Sequence, residues 1–381
     1  MTRVAFVSPE PTPYRSPLLD GVGARDEIDL TVIYAAHTVA GRTWKVEPQH
    51  RAVFLDGLEV PGARGVFRHD YPVTPGIWRA LREAKPECVV VSGWSTFAAQ
   101  AAITWCRARR VPYVLLVESH DAGPKPGWRR RVKQAVVPPI VNGAASVLVV
   151  GSLARESVLA LGAPPGRVRV FANTIDVAGF GERADRLSGR RPELRDGLGV
   201  SADDVAVVSV ARLAPEKGID SLLRAVAKVG NERLIAIVVG EGPERARLEQ
   251  LGRELGVRAT FAGERPWESV VEAYAASDVF ALLSEREPWA VVVNEAAACG
   301  LPLVLSDRVG AAHDLLRDGE NGMLVPSGDV EAAAGALRRL TVDRDLRLRM
   351  GAKSRELARG FGYGPSVENL LEAVREATAS R

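Results

Sequence analysis

The feature that most constrains this chain is a double series of short, uninterrupted apolar runs. In the first half they are Val4–Ser8, Leu30–Tyr34, Cys88–Ser92, Tyr113–Glu118 and Ser146–Val150. In the second half they are Val205–Ala211, Leu234–Gly240, Ala259–Ala262, Val279–Leu283 and Leu303–Ser306. Runs of Val, Leu and Ile without polar alternation predict parallel strands buried on both faces. Helical patterns between the runs imply βαβ units. Two such series predict two doubly wound α/β domains. The text turns polar and Arg-rich over 177–204, so the boundary is placed there. This gives a first domain over 1–176 and a second over 190–360. The last stretch, 361–381, carries Val367, Leu370, Leu371 and Val374 on one helical face. It either closes the second domain or returns to the first.

The chain of 381 residues is long enough for two cores, and its 46% apolar and 25% charged content is that of a soluble globular protein. A net charge of +3 gives no case for nucleic acid as the main partner. Cys88, Cys106 and Cys299 stand singly, which speaks against a disulfide framework or a zinc site and fits a reducing cytosol. The amino terminus reads as strand and loop rather than a secretory signal, and no spanning helix is expected. The expected location is cytoplasmic.

Ligands of open α/β sheets bind beyond the carboxyl ends of the strands. Past the runs of the second half stand Arg212 and Lys217, then Gly240, Glu241 and Gly242, then Glu285, Arg286, Glu287 and Pro288. Arg212 and Lys217 could bind a diphosphate. The plainer alternative is a solvated face. Pro288 suits a first helical position, and Gly300 with Pro302 marks the helix end. Glu287 would then stand at a helix mouth and Glu295 inside the helix, about 12 Å away. That spacing suits two contacts on an extended ligand better than one shared proton transfer. Glu295 follows Val291–Val293 in a segment that reads as buried, where it needs a partner; ligand hydroxyls would serve. The alternative is an exposed glutamate on an amphipathic helix.

Taken together, these residues resemble glycosyltransferase family 4. SEREPWAVVVNEAAACGLPLVLSD carries its E-x7-E signature in Glu287 and Glu295, and VSVARLAPEKGIDSLL resembles its donor-phosphate segment. GEGPERARLEQLGRELGV, FAGERPWESVVEAYAASDVFALLS, DGENGMLV, VESHD and FANTIDV follow the family in order, most strongly from Val205 to Val325. The resemblance implies a GT-B fold: two facing Rossmann-like domains with an interdomain cleft, the second binding donor and the first acceptor. It makes the returning carboxyl-terminal helix (361–381) the likelier option. It implies a retaining, metal-independent transferase that moves a hexosyl-type sugar from a UDP- or GDP-sugar, with no cofactor required. The acceptor would be a glycan, a lipid-linked molecule or a natural product.

Carried over, Arg212 and Lys217 would hold the diphosphate, Glu287 the sugar hydroxyls and Glu295 the ribose. Arg286, Pro288, Trp289, Ala290 and Val291 would complete the donor segment, with Gly240, Glu241 and Gly242 beside it. His120 would face the sugar from the first domain; a lone histidine after a strand is otherwise a structural hydrogen-bonder. The chemistry agrees: a leaving nucleoside diphosphate needs positive charge, and no Asp-x-Asp pair stands beside a strand end to hold a metal.

One departure is plain. The family's Gly-Gly loop after the first strand is replaced by Pro9-Glu10-Pro11-Thr12-Pro13-Tyr14-Arg15. This makes Tyr14 and Arg15 candidates for the acceptor, with a surface turn as the alternative. Trp94 and Asn173 are further acceptor-side candidates, and for Trp94 core packing is the competing role. Lys125, Arg129, Arg130, Arg131 and Lys133, with Trp128, Val132, Val136 and Val137, form a basic segment (125–137). It could lie on the inner face of the plasma membrane or be a solvated helix face. A sugar phosphorylase, a nucleotide-sugar epimerase and a non-catalytic nucleotide-sugar-binding protein remain as alternatives. An oxidoreductase is disfavoured, because no G-x-G-x-x-G follows an early strand.

Overall fold

The computed structural model describes residues 1–37, 46–58, 71–118 and 127–379. They divide into two compact units, Met1–Asn173 with Tyr363–Arg381, and Thr174–Gly362.

Unit 1 is built on a parallel sheet with strand order β3-β2-β1-β4-β5-β6-β7. The strands are β1 (Thr2–Ser8), β2 (Ile28–Tyr34), β3 (Arg51–Phe54), β4 (Cys88–Ser92), β5 (Tyr113–Val117), β6 (Ser146–Val149) and β7 (Val168–Val170). The central strands are buried over most of their length, as their unbroken apolar text requires. The edge strands β3 and β7 are not announced by the sequence. RAVF is half-exposed and VRV is only three residues long, so neither presents an apolar run. The helix Tyr363–Ala379 buries Val367, Leu370, Leu371 and Val374 against Val4, Phe6, Leu148 and Phe171 of this unit. Asn369 donates to the Val170 carbonyl at 2.9 Å, and Ser366 Oγ accepts from the Ala172 amide at 3.2 Å.

Unit 2 has the order β10-β9-β8-β11-β12-β13, again all parallel. Its strands are β8 (Val205–Val210), β9 (Leu234–Val239), β10 (Ala259–Gly263), β11 (Val279–Leu282), β12 (Leu303–Ser306) and β13 (Gly322–Val325). β13, a strand the sequence did not mark, opens on a glycine. A Cβ there would collide with the Leu303 carbonyl, so the edge strand packs too closely for a larger residue. The 177–204 stretch is not an open linker. It contains the helices Val177–Leu187 and Arg191–Asp196, the first capped by Asp176 through the Gly179 amide at 3.0 Å. Residues 177–189, left between the two expected domains, are part of unit 2.

Strand order reverses between β8 and β11 in unit 2 and between β1 and β4 in unit 1. Each reversal opens a crevice at the carboxyl ends of those strands, and ligands of doubly wound sheets sit there. Among the described residues no helix is long and apolar enough to cross a membrane.

Candidate functional site

In unit 2 the loops leaving β8 and β11 bring two charged side chains together. Lys217 Nζ donates to Glu287 Oε2, and both side chains are mostly buried. These residues are 70 apart in sequence and meet at the switch point. Lys217 ends the 3-10 turn Pro215–Lys217, and Gly218 then turns the chain into the helix Ile219–Val229. Gly218 has φ of 66°, and a Cβ there would collide with the Leu283 carbonyl, so only glycine lets the β8 loop lie against β11. The Glu285 amide bonds to the Glu216 carbonyl at 2.9 Å and joins the two loops.

Arg212 is placed differently. It is largely exposed and pairs across the turn with Glu216 at 3.1 Å. A hydrogen bond from its own backbone and the Arg212 guanidinium hold the Glu216 carboxyl below its usual range. Arg212 stands on the same loop as Lys217, but its head is not part of the Lys217–Glu287 pair.

Glu287 does not stand at a helix mouth. The helix begins at Val291, not Pro288, and runs to Ala298. Ala290 at the cap has φ of 82°, a left-handed conformation rare for alanine, and Glu285–Ala290 form a separate loop. That loop is tied to the one after β12. The Glu287 amide donates to the Arg308 carbonyl at 3.1 Å, and its carbonyl accepts from Gly310 at 2.9 Å. The Trp289 carbonyl accepts from Ala311 at 2.9 Å. Gly310 has no room for a Cβ against the Pro288 carbonyl. The 12 Å helical ruler between Glu287 and Glu295 is therefore set aside, because only the second half of that interval is helix.

Glu295 is deeply buried, with 7% of its surface exposed, which removes the alternative of a solvated helix face. Its partner is Tyr274, whose hydroxyl donates to Glu295 Oε2 at 2.7 Å from the helix Trp267–Ala276. Burial raises the Glu295 carboxyl to about 7, and the Tyr274 hydrogen bond partly offsets this. Burial and the facing carboxylate push the Tyr274 hydroxyl far up, so it stays a neutral donor. Nothing in the sequence signalled Tyr274, because the pairing spans 21 residues and two helices.

Trp289 is buried, not a wall of an open pocket. Its indole donates to Asn294 Oδ1 at 3.1 Å, and Asn294 in turn reaches Thr174 Oγ1 at 3.4 Å. Arg286 and Pro288 are exposed, Ala290 is buried and Val291 is half-buried. The Gly240–Gly242 turn folds back on the β8 loop, with the Leu213 amide bonded to the Glu241 carbonyl at 2.8 Å. Glu241 itself is salt-bridged to Arg245. Two helix amino termini, at Gly218 and Ala290, carry no side-chain cap, so side chains leave their first amides unsatisfied.

In unit 1 the acceptor-side candidates differ in burial and partners. Arg15 is not on a surface turn. It is 4% exposed, stacks over Phe171 at 5.1 Å, donates to Glu118 at 2.8 Å and also to Asn173. Asn173 is likewise buried and engaged by Arg15. Tyr14 and Trp94 are half-buried, and Thr96, two residues past Trp94, caps the helix Phe97–Arg109 through the Ala99 amide at 3.2 Å. His120 and Lys125 lie outside the described residues. So do the side chains of Trp128, Arg129, Arg130, Arg131, Val132 and Lys133, although the helix Gly127–Asn142 is described. Within that helix Val136 is exposed and Val137 buried.

Comparison with known proteins bears on the family and the fold. A family model described as glycosyl transferases group 1 matches residues 190–357, and one described as a glycosyl transferase 4-like domain matches 22–174. A D-inositol 3-phosphate glycosyltransferase of Kineococcus radiotolerans is 33% identical over 100% of this chain and 96% of its own. Another, of Saccharomonospora viridis, is 33% identical, but the match spans 57% of this chain and 52% of that relative. Several of the curated relatives are thus matched over little more than half their length. Among solved structures, an Anabaena HepE complex with UDP superposes with a TM-score of 0.74 at 20% identity, over 100% of both chains. A sucrose-phosphate synthase of Thermosynechococcus elongatus gives 0.77 at 20% identity, also over 100% of both. These likenesses give the fold: two Rossmann-like, parallel-sheet units of the GT-B class. Sequence and fold together show that the chain belongs to the group 1, family 4-like glycosyltransferases.

Proposed function

We propose that this protein is a retaining, metal-independent glycosyltransferase that moves a hexosyl-type sugar from a UDP- or GDP-sugar to a hydroxyl-bearing acceptor. The observation that carries the proposal is the meeting of Lys217 and Glu287 at the β8/β11 switch point, with two uncapped helix amino termini behind it. A cation and free amides there can take the charge that builds on a leaving diphosphate. Arg212, on the same loop and largely exposed, is free to swing from Glu216 to the phosphates. This arrangement supplies without a metal what a bound cation would otherwise supply.

In the proposed reaction the bond from the anomeric carbon to the phosphate oxygen breaks, and a bond to the acceptor oxygen forms on the same face. The acceptor proton passes to the leaving phosphate oxygen. Glu287 binds sugar hydroxyls. Its salt bridge to Lys217 lowers its nucleophilicity and favours binding over a covalent intermediate. Glu295, with Oε2 fixed by Tyr274, presents Oε1 to the ribose. His120 is proposed to face the sugar from the unit 1 side. Relatives named for inositol 3-phosphate make a small polyol phosphate the first acceptor to test. The three free cysteines support a cytoplasmic reaction. Contact of 125–137 with the inner membrane face is tested by sedimentation with anionic vesicles at low salt.

The deciding experiment is a thermal-shift screen with UDP, GDP, ADP, CDP and dTDP, in EDTA and then with magnesium. A ligand at a hundred times its Kd adds about 2.7 kcal/mol. One nucleotide shifting the melt in EDTA, with the shift lost in Lys217→Ala, supports the assignment. A shift that needs magnesium removes metal independence, and no shift with any nucleotide removes the donor site.

A further inference from the structure

One large cavity of unit 2 is not at the proposed donor site. It lies at the opposite, amino-terminal edge of the unit 2 sheet, where β8, β11 and β12 begin. Its volume is about 1080 Å³, ample for a small-molecule ligand. Arg191, Arg195, Arg344, Arg347 and Arg355 all line it.

Five aspartates, Asp185, Asp196, Asp203, Asp204 and Asp278, line it as well, but they are paired unevenly with these arginines. Asp204 takes both terminal nitrogens of Arg258, at 2.7 and 2.8 Å, from outside the cavity. Asp185 pairs with Arg355 at 2.9 Å. Asp196 and Asp203 are exposed. On the floor a single carboxylate, Asp278, is shared by Arg191 at 2.8 Å and Arg195 at 3.0 Å. The hydrogen bonds of Arg347 go to neutral acceptors, the Leu340 carbonyl at 2.5 Å and the Thr341 carbonyl at 3.1 Å. Burial lowers the Arg191 guanidinium from its usual range; Asp278 offsets this, and Arg195 and Arg347 lower it further. Arg347 is lowered in the same way by burial, against Asp278 and Asp343, with Arg344 and Arg195 adding repulsion. Arg195 is 6% exposed, and its Nε is buried with no hydrogen-bond partner among the described residues. Arg195 spends its terminal nitrogens on Asp278 and on the Ala276, Ser201 and Asp204 carbonyls, so the half-buried Arg191 and Arg347 and the exposed Arg344 are the guanidiniums whose planar forks can match phosphate oxygens.

We propose that this cavity binds a small phosphate-bearing anion, at a site separate from the donor crevice. Its wall includes Cys299–Leu301, directly after the helix that carries Glu295, so an occupant there touches the segment that positions the donor residue.

The test uses the full chain with Lys217→Ala, which removes the ammonium proposed to hold donor phosphate. It is melted in EDTA with rising inorganic phosphate, pyrophosphate or glucose 6-phosphate, at ionic strength held constant with KCl. The expected result is a rise in Tm of about 2–4 °C at saturation. Adding Arg347→Gln should abolish the rise, and adding Arg344→Gln should weaken the apparent affinity about 3–10-fold. Arg344 is exposed, so that variant decides the matter even if Arg347→Gln fails to fold. A stronger response to glucose 6-phosphate than to inorganic phosphate assigns an organic phosphate; equal responses assign phosphate itself. No rise beyond the KCl control, or a rise untouched by both arginine changes, overturns the site. The latter would place the anion at Arg212 instead.

Discussion

The carboxyl-terminal edges of the two sheets have the same topology and each holds a cation–carboxylate pair, but the two cations differ in burial and partners. In unit 2 that edge holds a cation and a carboxylate that face each other across the switch point, with helix amides uncapped around them. In unit 1 the same edge holds a more deeply buried arginine. Arg15 lies under Phe171 and is bonded to Glu118 and Asn173. The lysine of the first edge joins two loops, while the arginine of the second holds three together. A strand-end arginine therefore does not declare its role by type or position; its burial and partners do.

The contrast can be broken most forcefully at Lys217. Lys217→Ala should cut sugar transfer by about 10²–10³-fold while leaving Tm within about 1 °C, since an unpaired Glu287 at a crevice can be hydrated. Wild-type turnover in that variant removes the phosphate role. Arg15→Met should do the reverse and lower stability by about 2 kcal/mol, because Glu118 and Asn173 lose their donor. Nucleotide affinity, measured by calorimetry, should not change. An undiminished Tm together with weaker acceptor binding would return Arg15 to the acceptor site.

Tyr274→Phe should cost about 1 kcal/mol of stability and weaken nucleotide binding about 3–10-fold. It should also move the pH dependence of binding upward, because the bond that offsets burial of Glu295 is gone. Equal affinity at every pH would show that Glu295 does not touch the nucleoside. The same carboxyl makes stability depend on pH. The Glu295 carboxyl is raised in the fold to about 7. The stability its protonated form contributes is fully present below the unfolded carboxyl range and is lost as pH rises through 7. Wild type should therefore lose roughly 2–3 kcal/mol more than Glu295→Gln between pH 5 and 8. Nucleotide affinity should rise over the same window in wild type alone, since donated ribose hydroxyls favour the ionised carboxylate. Parallel pH curves for the two proteins would remove the assignment.

Much of this was legible because buried parallel strands write themselves as apolar runs. The ten runs read from the sequence correspond to β1, β2, β4, β5, β6 and β8 to β12. β3, β7 and β13 escaped because edge strands are short and half-wet, and their pairing is chosen by the neighbour rather than by their own text. The helix start was misplaced for a related reason. Pro288 fits a first helical turn in isolation, but the backbone bonds from Glu287 and Trp289 to the β12 loop hold this segment out of the helix.

The sequence by itself determined the α/β class, the two-series organisation, and which charged residues fall past strand ends, since these depend on local periodicity and chain order. The tertiary structure alone decided which of those charges meet. It paired Lys217 with Glu287, buried Glu295 against Tyr274, turned Arg15 inward, and gathered five arginines at the far edge of unit 2. Such contacts join residues distant along the chain, and burial sets their protonation and partners; neither is encoded in any local stretch.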